Sequence, residues 1–230
     1  MSDRPPMRGE FIGLTASDGH RLRAYRSAPE GAPRGALVVL HEIFGCNAHI
    51  REVCDGYADR GYLAIAPALF DRAERDVEMD YGPASIERGR ALRAAIGWDA
   101  SVRDVAAAID AAAAGGPVGV IGYCWGGTLA FLAATRLGGL ACAVSYYGGQ
   151  TTPFARERIR VPMLMHFGEQ DPRILPDDIR AQAQGNPDIE MHLYPADHGF
   201  NCDHRKEWHR ESAAQALART LEFFDRHLRR

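Results

Sequence analysis

A cysteine lies between glycines in the segment GVIGYCWGG, residues 119–127. The apolar residues that precede it are typical of a buried strand, and residues 122–126 have the form G-x-nucleophile-x-G. Glycines on either side leave room for a sharp strand-to-helix turn that holds the central side chain outward. A helix that begins at this turn would favour the thiolate. The pattern predicts that Cys124 is a nucleophile rather than a small buried hydrophobic residue.

A cysteine nucleophile needs a base, and the base needs a group that orients it. His198 follows one predicted strand in the segment ADHGF, and Asp171 follows the preceding predicted strand in a turn with glycine and proline. Nucleophile, acid and histidine then lie in that chain order, each beyond the end of its own strand. His41 is the competing base, and Glu169 and Asp197 are competing acids. We expect the pair to be Asp171 and His198.

A metal site is the alternative use of the segment HGFNCDH, which contains four possible zinc ligands. They are His198, Cys202, Asp203 and His204. Because the sequence shows no second ligand cluster at a recognisable spacing, we expect neither a metal nor another cofactor.

Composition narrows the class of protein. The formal net charge of −3 gives no basic surface for nucleic acid, and no apolar run is long enough to span a membrane. The first residues, MSDRPPMRGEF, lack the apolar stretch of a secretory signal. Five widely spaced cysteines without a C-x-x-C pair argue against disulfides and for a reducing, cytoplasmic location. We expect Cys46, Cys54 and Cys142 to be structural.

The remaining segments must place these side chains. Residues 9–16 and 20–28 flank the turn signal Ser17-Asp18-Gly19, which predicts a hairpin. Continuous apolar runs then predict strands buried on both faces, as in a parallel sheet. The predicted strands are Ala36–Leu40, Tyr62–Leu69, Pro117–Tyr123, Leu140–Gly148, Val161–Asp171 and Ile189–Pro195.

Helical stripes alternate with these runs. Apolar residues recur at helical spacing in residues 98–114 and again near the C-terminus, from Leu217 to Leu228. Alternating strands and helices predict an α/β fold, with a mostly parallel central sheet and helices on both faces. We expect one domain over residues 1–230, with residues 71–82 as an irregular surface excursion.

Three motifs together resemble the dienelactone hydrolase (carboxymethylenebutenolidase) family of the α/β-hydrolase fold. HEIFGCNAHIRE (residues 41–52) resembles that family's E-I-F-G segment, and GYCWGG (residues 122–127) resembles its nucleophile elbow, in which cysteine replaces the usual serine. GEQD (residues 168–171) and ADHGF (residues 196–200) resemble its acid and base loops. The motifs span most of the chain.

The resemblance implies roles for individual residues. Cys124 would be the nucleophile, His198 the base and Asp171 its orienting acid. Glu42 would be a second carboxylate that partners the thiol in the resting enzyme and moves when substrate binds. The backbone N–H groups of Ile43 and Trp125 would form the oxyanion hole.

The resemblance also implies a cationic site for a carboxylated lactone. One arginine of the family lies on a helix before the elbow, where IERGRALR offers Arg88 or Arg90, with Arg90 preferred. The family's second arginine corresponds to Cys202 in this chain, and Arg205 is the nearby substitute. Phe44, Tyr123 and Trp125 would line an apolar wall.

The predicted activity is hydrolysis of a small lactone or related ester through an acyl-enzyme intermediate. A thioesterase or aryl esterase with the same triad, and a noncatalytic binding protein of the same fold, are the alternatives. The expected partner is a small molecule, and the protein is expected to be a monomer or a small homo-oligomer. The retention of a nucleophile, acid and base favours the enzyme.

Overall fold

Eight strands form one sheet in the computed structural model, which describes residues 8–228. The strands are β1 (Glu10–Thr15), β2 (Arg21–Ser27), β3 (Ala36–Leu40), β4 (Leu63–Pro67), β5 (Val118–Tyr123), β6 (Cys142–Tyr146), β7 (Met163–Gly168) and β8 (Glu190–Tyr194). Their order in the sheet is β1-β2-β4-β3-β5-β6-β7-β8. The pairs β1–β2 and β2–β4 are antiparallel, and all other neighbours are parallel.

The predicted hairpin is confirmed by the pairing of β1 with β2. Gly19 has a φ of +82°, and its N–H donates to the Ala16 carbonyl at 2.9 Å. This left-handed conformation is accessible to glycine at little cost, which is why Asp-Gly closes the turn.

The central strands are buried at every position from β3 through β7. A strand buried on both faces needs helices above and below it, and the continuous apolar runs in the sequence reflect that requirement. Each predicted strand is present. β3 has its predicted range, and the other five strands are shorter than the runs because residues at one or both ends of each run lie in the connecting segments.

Six α-helices of the described part of the chain cover the sheet. They are α1 (Ala48–Ala58), α2 (Pro83–Ile96), α3 (Trp98–Ala112), α4 (Trp125–Arg136), α5 (Pro176–Gly185) and α6 (Arg210–His227). α3 packs on α4, whereas Tyr57 of α1 contacts Phe224 of α6 with ring centroids 6.1 Å apart. The two helix pairs account for the burial of the central strands on both faces.

The connection pattern opens a crevice at the carboxyl ends of β3 and β5. In the sheet, β3 lies between β4 and β5. The chain therefore passes from β3 to its neighbour on one side, β4, and later returns to pair with β3 on the other side as β5. The loops after β3 and β5 therefore diverge, and this is where ligands bind in open α/β sheets. Glu42, Ile43 and Phe44 follow β3, and Cys124 and Trp125 follow β5.

Residues 71–82 are irregular, as predicted, but they are not only a surface excursion. Asp71, Val77 and Met79 are buried. The Met79 N–H donates to the Phe44 carbonyl at 3.0 Å, and a Cβ on Gly45 would lie 2.0 Å from the Val77 carbonyl oxygen. This segment therefore packs tightly against the loop after β3 and supports it.

Within residues 8–228, no helix is both long and apolar enough to cross a lipid bilayer. The expectation about a secretory signal rests largely on residues 1–7, which lie outside the described residues.

Candidate active site

Cys124 occupies a strained turn between β5 and α4. Its φ is +53° and its ψ is −111°, a backbone conformation that non-glycine residues rarely adopt. Its N–H donates to the Tyr146 carbonyl on β6 at 2.9 Å, and its carbonyl accepts from the Thr128 N–H in α4 at 3.2 Å. These bonds hold the strained residue from both sides, and they fix the sulfur at the N-terminus of α4.

The glycines around Cys124 provide the space that the turn needs. A Cβ on Gly122 would lie 1.9 Å from the Gly126 carbonyl oxygen, and one on Gly126 would lie 2.2 Å from the Leu40 carbonyl oxygen. Both contacts are with backbone atoms, which cannot rotate away. The sequence interpretation of these glycines is confirmed.

Cys124, His198 and Asp171 form one hydrogen-bonded chain. His198 Nε2 lies 3.1 Å from Cys124 Sγ, and its Nδ1 lies 2.7 Å from Asp171 Oδ2. The other carboxylate oxygen of Asp171 accepts from the Arg173 N–H at 2.8 Å. The side chains of His198 and Asp171 are 4% and 0% exposed, so water competes little for these bonds.

The competing base and acids identified from the sequence are not part of this hydrogen-bonded chain. The imidazole of His41 is bonded to backbone, since Nδ1 lies 2.5 Å from the Glu42 carbonyl and Nε2 accepts from the Leu69 N–H. Glu169 is exposed, and Asp197 accepts from the backbone N–H of His198 rather than from its ring. The geometry therefore selects Asp171 and His198.

Burial alone would lower the pKa of His198. The neighbouring Cys124 sulfur and the Asp171 carboxylate outweigh this effect and raise the pKa to about 10. His198 Nε2 lies within hydrogen-bond distance of Cys124 Sγ, at 3.1 Å. The pair is thus suited to exchange a proton.

Glu42 makes no hydrogen bond to the thiol, contrary to the expectation that it partners Cys124 at rest. Its Oε1 accepts from Arg205 Nη1 at 3.1 Å, and its Oε2 has no hydrogen-bond partner among the described residues. Both side chains are buried, at 2% and 5% exposure. Arg205 lies three residues after Cys202 in the chain. Its positive charge stabilises the buried Glu42 carboxylate.

A cavity of about 210 Å³ opens above Cys124. Phe44, Trp125 and Arg90 line it, as predicted. The complete lining, which contains no carboxylate among the described residues, is Ile43, Phe44, Ile86, Arg90, Arg93, Cys124, Trp125, Thr128, Gly149, Gln150, Arg173, His198 and Arg205. The cavity is therefore cationic.

Helix α2 places two arginines over this cavity. A Cβ on Gly89 would lie 1.9 Å from the Ile43 carbonyl oxygen, so glycine allows α2 to approach the loop after β3. Arg90 and Arg93 then line the cavity one turn apart, and Arg93 donates to Gln150 at 2.6 Å. Arg88 points elsewhere, and its exposed side chain pairs with Glu74.

Tyr123 is also absent from this cavity, contrary to expectation. Its buried ring packs against Tyr146 at 5.0 Å and lines a second cavity of about 400 Å³. The reason is the alternation of side chains along β5, which sends Tyr123 and its neighbours to opposite faces of the sheet.

The predicted oxyanion-hole residues lie on either side of the crevice, and both line the cavity with Cys124. Trp125 is the first residue of α4, so its N–H has no acceptor within the helix. Ile43 lies in the loop after β3, next to Glu42.

The four possible zinc ligands of the segment 198–204 do not meet at one point. His198 belongs to the chain with Cys124, and Cys202 is fully buried. Asp203 and His204 instead lie beside His49 of α1.

The other cysteines are buried, as expected for structural residues. Burial raises the pKa of Cys46 and that of Cys142 to about 12, so neither thiol is ionised near neutral pH. Cys124 alone among the five is partly exposed.

Two cationic residues of the cavity were missed from the sequence. Arg93 lies three residues after Arg90, and this helical spacing was a usable signal for a second cation on the same face. Arg173 lies two residues after Asp171 in the acid loop, where nothing in the sequence distinguishes it from a surface arginine.

Known proteins share this architecture. The model of the dienelactone hydrolase family matches residues 22–228. A carboxymethylenebutenolidase of Pseudomonas putida is 33% identical over 225 residues, which cover 93% of this chain and 95% of that protein. The crystal structure of a dienelactone hydrolase-type protein from Klebsiella pneumoniae is similar, with a TM-score of 0.83 at 30% identity. The match covers 95% of this chain and 100% of that one.

A Pyrococcus furiosus esterase shares the fold at 15% identity, with a TM-score of 0.73 and coverage of 99% of this chain and 96% of that one. The predicted α/β-hydrolase fold is therefore confirmed.

Proposed function

This chain belongs to the dienelactone hydrolase family and is a lactone or ester hydrolase, and we propose that it acts through a cysteine nucleophile and an acyl-enzyme intermediate. The observation that supports the proposal most strongly is the continuous contact from Cys124 Sγ through His198 to Asp171, at 3.1 and 2.7 Å. The Pseudomonas putida relative is a carboxymethylenebutenolidase, and we extend this activity to this chain.

In the first half-reaction the Cys124 thiolate attacks the lactone carbonyl carbon. The carbonyl electron pair moves onto oxygen, where the N–H groups of Ile43 and Trp125 stabilise the negative charge. When the carbonyl re-forms, the ring C–O bond breaks, and the departing oxygen takes a proton from the His198 imidazolium. The ring-opened acid is then attached to Cys124 as a thioester.

In the second half-reaction water attacks the thioester carbonyl. His198 accepts a proton from this water, and the C–S bond breaks to release the product acid and the thiolate. Asp171 keeps Nε2 of His198 directed at the sulfur throughout, and it stabilises the imidazolium whenever it forms. The cycle consumes one water per lactone and needs no cofactor.

The cationic lining favours a substrate that carries a carboxylate. Arg205 is already paired with Glu42, which leaves Arg90, Arg93 and Arg173 facing a cavity without a carboxylate in its described lining. An arginine binds a carboxylate through two parallel hydrogen bonds, so a small anionic lactone is the substrate class that this cavity fits best.

Steady-state kinetics of lactone hydrolysis by the Cys124→Ala variant test the proposal. We expect kcat/KM for a carboxylated lactone to fall by about 10⁴-fold or more, on the scale of nucleophile removal in other triads. Cys142→Ala is the matched control, since that thiol is buried in β6 away from the cavity. Undiminished turnover by Cys124→Ala, with folding verified by circular dichroism, would refute the cysteine mechanism.

A further inference from the structure

We propose that His49, Glu52, Asp203 and His204 form a binding site for a divalent transition metal such as Zn²⁺. His49 and Glu52 lie one turn apart on α1, and Asp203 and His204 lie on the loop between β8 and α6. The site is separate from the Cys124 cavity, and none of its four residues lines that cavity.

Three of the ligand atoms lie near the spacing that a tetrahedral ion needs. His49, Asp203 and His204 each offer one ligand atom, and these three atoms lie within 4.8 Å of one another. Asp203 Oδ1 lies 3.3 Å from His49 Nδ1 and 3.8 Å from His204 Nε2. Zn²⁺ with bonds of 2.0–2.1 Å holds its ligand atoms about 3.3 Å apart.

Glu52 supplies the fourth atom. Its Oε2 lies 2.7 Å from His204 Nε2, so a small outward movement of this partly exposed carboxylate would bring it to the tetrahedral spacing. Two neutral imidazoles and two carboxylates carry a charge of −2, which a divalent ion neutralises. Mixed nitrogen and oxygen donors of this kind suit Zn²⁺ and its first-row neighbours better than Mg²⁺ or Ca²⁺.

The site is accessible on one side and anchored on the other. The His49 side chain is only 5% exposed and lies beside buried Cys202, whereas Asp203 is 52% exposed. An outer partner of this type orients a metal-bound histidine. His49, Glu52 and Asp203 also line the second cavity, which gives an ion a route from solvent.

A bound ion would join α1 to the loop that follows His198. His204 lies six residues after His198, and α1 begins six residues after Glu42. The metal would therefore restrain both segments that carry residues of the candidate active site, without touching the substrate cavity. We assign it a structural role.

The site is tested by measuring Zn²⁺ binding to the Cys124→Ala protein. Calorimetry and competition with a chromogenic chelator both give the affinity. This background removes the one partly exposed thiol, which could bind zinc itself. We expect one ion per chain, and at least a tenfold weaker affinity in His204→Gln and Glu52→Gln. His227→Gln, on α6 outside the group, is the matched control and should bind as the parent does.

Two further readouts distinguish the site from a set of ordinary ion pairs. Zn²⁺ should raise the melting temperature of the parent but not that of His204→Gln. Co²⁺ should give tetrahedral visible bands without a sulfur charge-transfer band, since all four ligands are nitrogen or oxygen. Binding that survives His204→Gln unchanged, or a sulfur band in the Cys124→Ala background, would overturn the assignment.

Discussion

At the scale of single residues, we expect Asp171 to determine how well His198 can act. Its carboxylate is fully buried and lies 2.7 Å from His198 Nδ1, so it fixes which ring nitrogen faces Cys124. Asp171→Asn keeps the shape of the side chain but presents an amide that can favour the wrong tautomer. We expect kcat/KM to fall by about 10³-fold or more.

The control for this change is Glu169→Gln, an isosteric substitution of an exposed acid in the same loop. Steady-state kinetics of the two variants should separate widely, while their far-ultraviolet circular dichroism stays the same. Equal activity of Asp171→Asn and Glu169→Gln would show that Asp171 does not orient the base.

The arginines of the cavity make a second prediction at this scale. Arg90 lines the cavity, whereas Arg88, two residues away on α2, pairs with Glu74 at the surface. We expect Arg90→Ala to raise KM about tenfold or more for carboxylated lactones, the scale of a charge-assisted hydrogen bond. Uncarboxylated lactones should be turned over almost as before.

Arg88→Ala should leave both substrates unaffected, since its side chain lies outside the cavity. Kinetics on the matched pair of lactones therefore measure the anion preference directly. An identical preference in Arg90→Ala and in the parent would remove Arg90 from substrate binding.

Chain order and strand ends were enough to predict Cys124, His198 and Asp171 as a group, because loops at one sheet edge must converge. The pairing of Glu42 with Arg205 was not predictable, since two buried charges 163 residues apart in sequence meet only through tertiary packing. Asp203 and His204 were recognised as possible ligands, but their neighbours on α1 were not. Neither pairing leaves a local pattern in the sequence.

At the scale of elements, the turn between β5 and α4 depends on close backbone approach. A Cβ on Gly126 would lie 2.2 Å from the Leu40 carbonyl oxygen at the end of β3. Gly126→Ala must therefore push α4 away from β3, and we expect it to reduce the free energy of unfolding by about 3 kcal/mol. Activity should fall as well, because α4 carries the Trp125 N–H.

Gly138→Ala is the matched control in the loop after α4, where an added Cβ meets no atom within 4 Å. It should change the free energy of unfolding by less than about 0.5 kcal/mol. Urea denaturation followed by circular dichroism measures both variants. Similar unfolding free energies for the two would contradict the close packing of the elbow.

The buried strands were predictable because each is a continuous apolar run, whereas α1 and α5 gave no comparable signal. The buried face of α1 combines Ile50 and Cys54 with the polar or amphipathic residues His49 and Tyr57. Such a face has no aliphatic stripe at helical spacing. Asn47, whose side chain accepts from the Ile50 N–H at 3.3 Å, marks the start of this helix only once the fold is known.

At the scale of the whole molecule, we propose that residues 1–230 unfold as one domain. Within the described residues, one sheet extends from β1 to β8, and buried side chains form a contiguous core around it. Thermal unfolding should therefore give a calorimetric enthalpy equal to the van 't Hoff enthalpy. Two resolved transitions would contradict a single domain.

The core also makes stability sensitive to acid. Burial lowers the pKa of His166 well below its usual value, and the ring is held neutral between Tyr194 and Thr220. The unfolded chain binds a proton at this residue near pH 6.5, whereas the folded protein does not. Below pH 6.5 the free energy of unfolding should fall by about 1.4 kcal/mol per pH unit from this group.

His166→Gln removes that proton uptake. The difference in unfolding free energy between parent and variant should be largest at pH 8, where it reflects packing alone, and should shrink as the pH falls toward 5. Urea titrations across this range measure it. A difference that does not change with pH would show that His166 does not contribute to acid unfolding.

The most direct test of the account is the mass of the protein during turnover. We predict that rapid acid quenching with a carboxylated lactone yields protein heavier by one whole lactone, since ring opening releases no fragment. Peptide mapping should place the added mass on Cys124, and His198→Asn should alter how much accumulates. Steady hydrolysis with no adduct on the Cys124 peptide in either protein would contradict covalent catalysis by this cysteine.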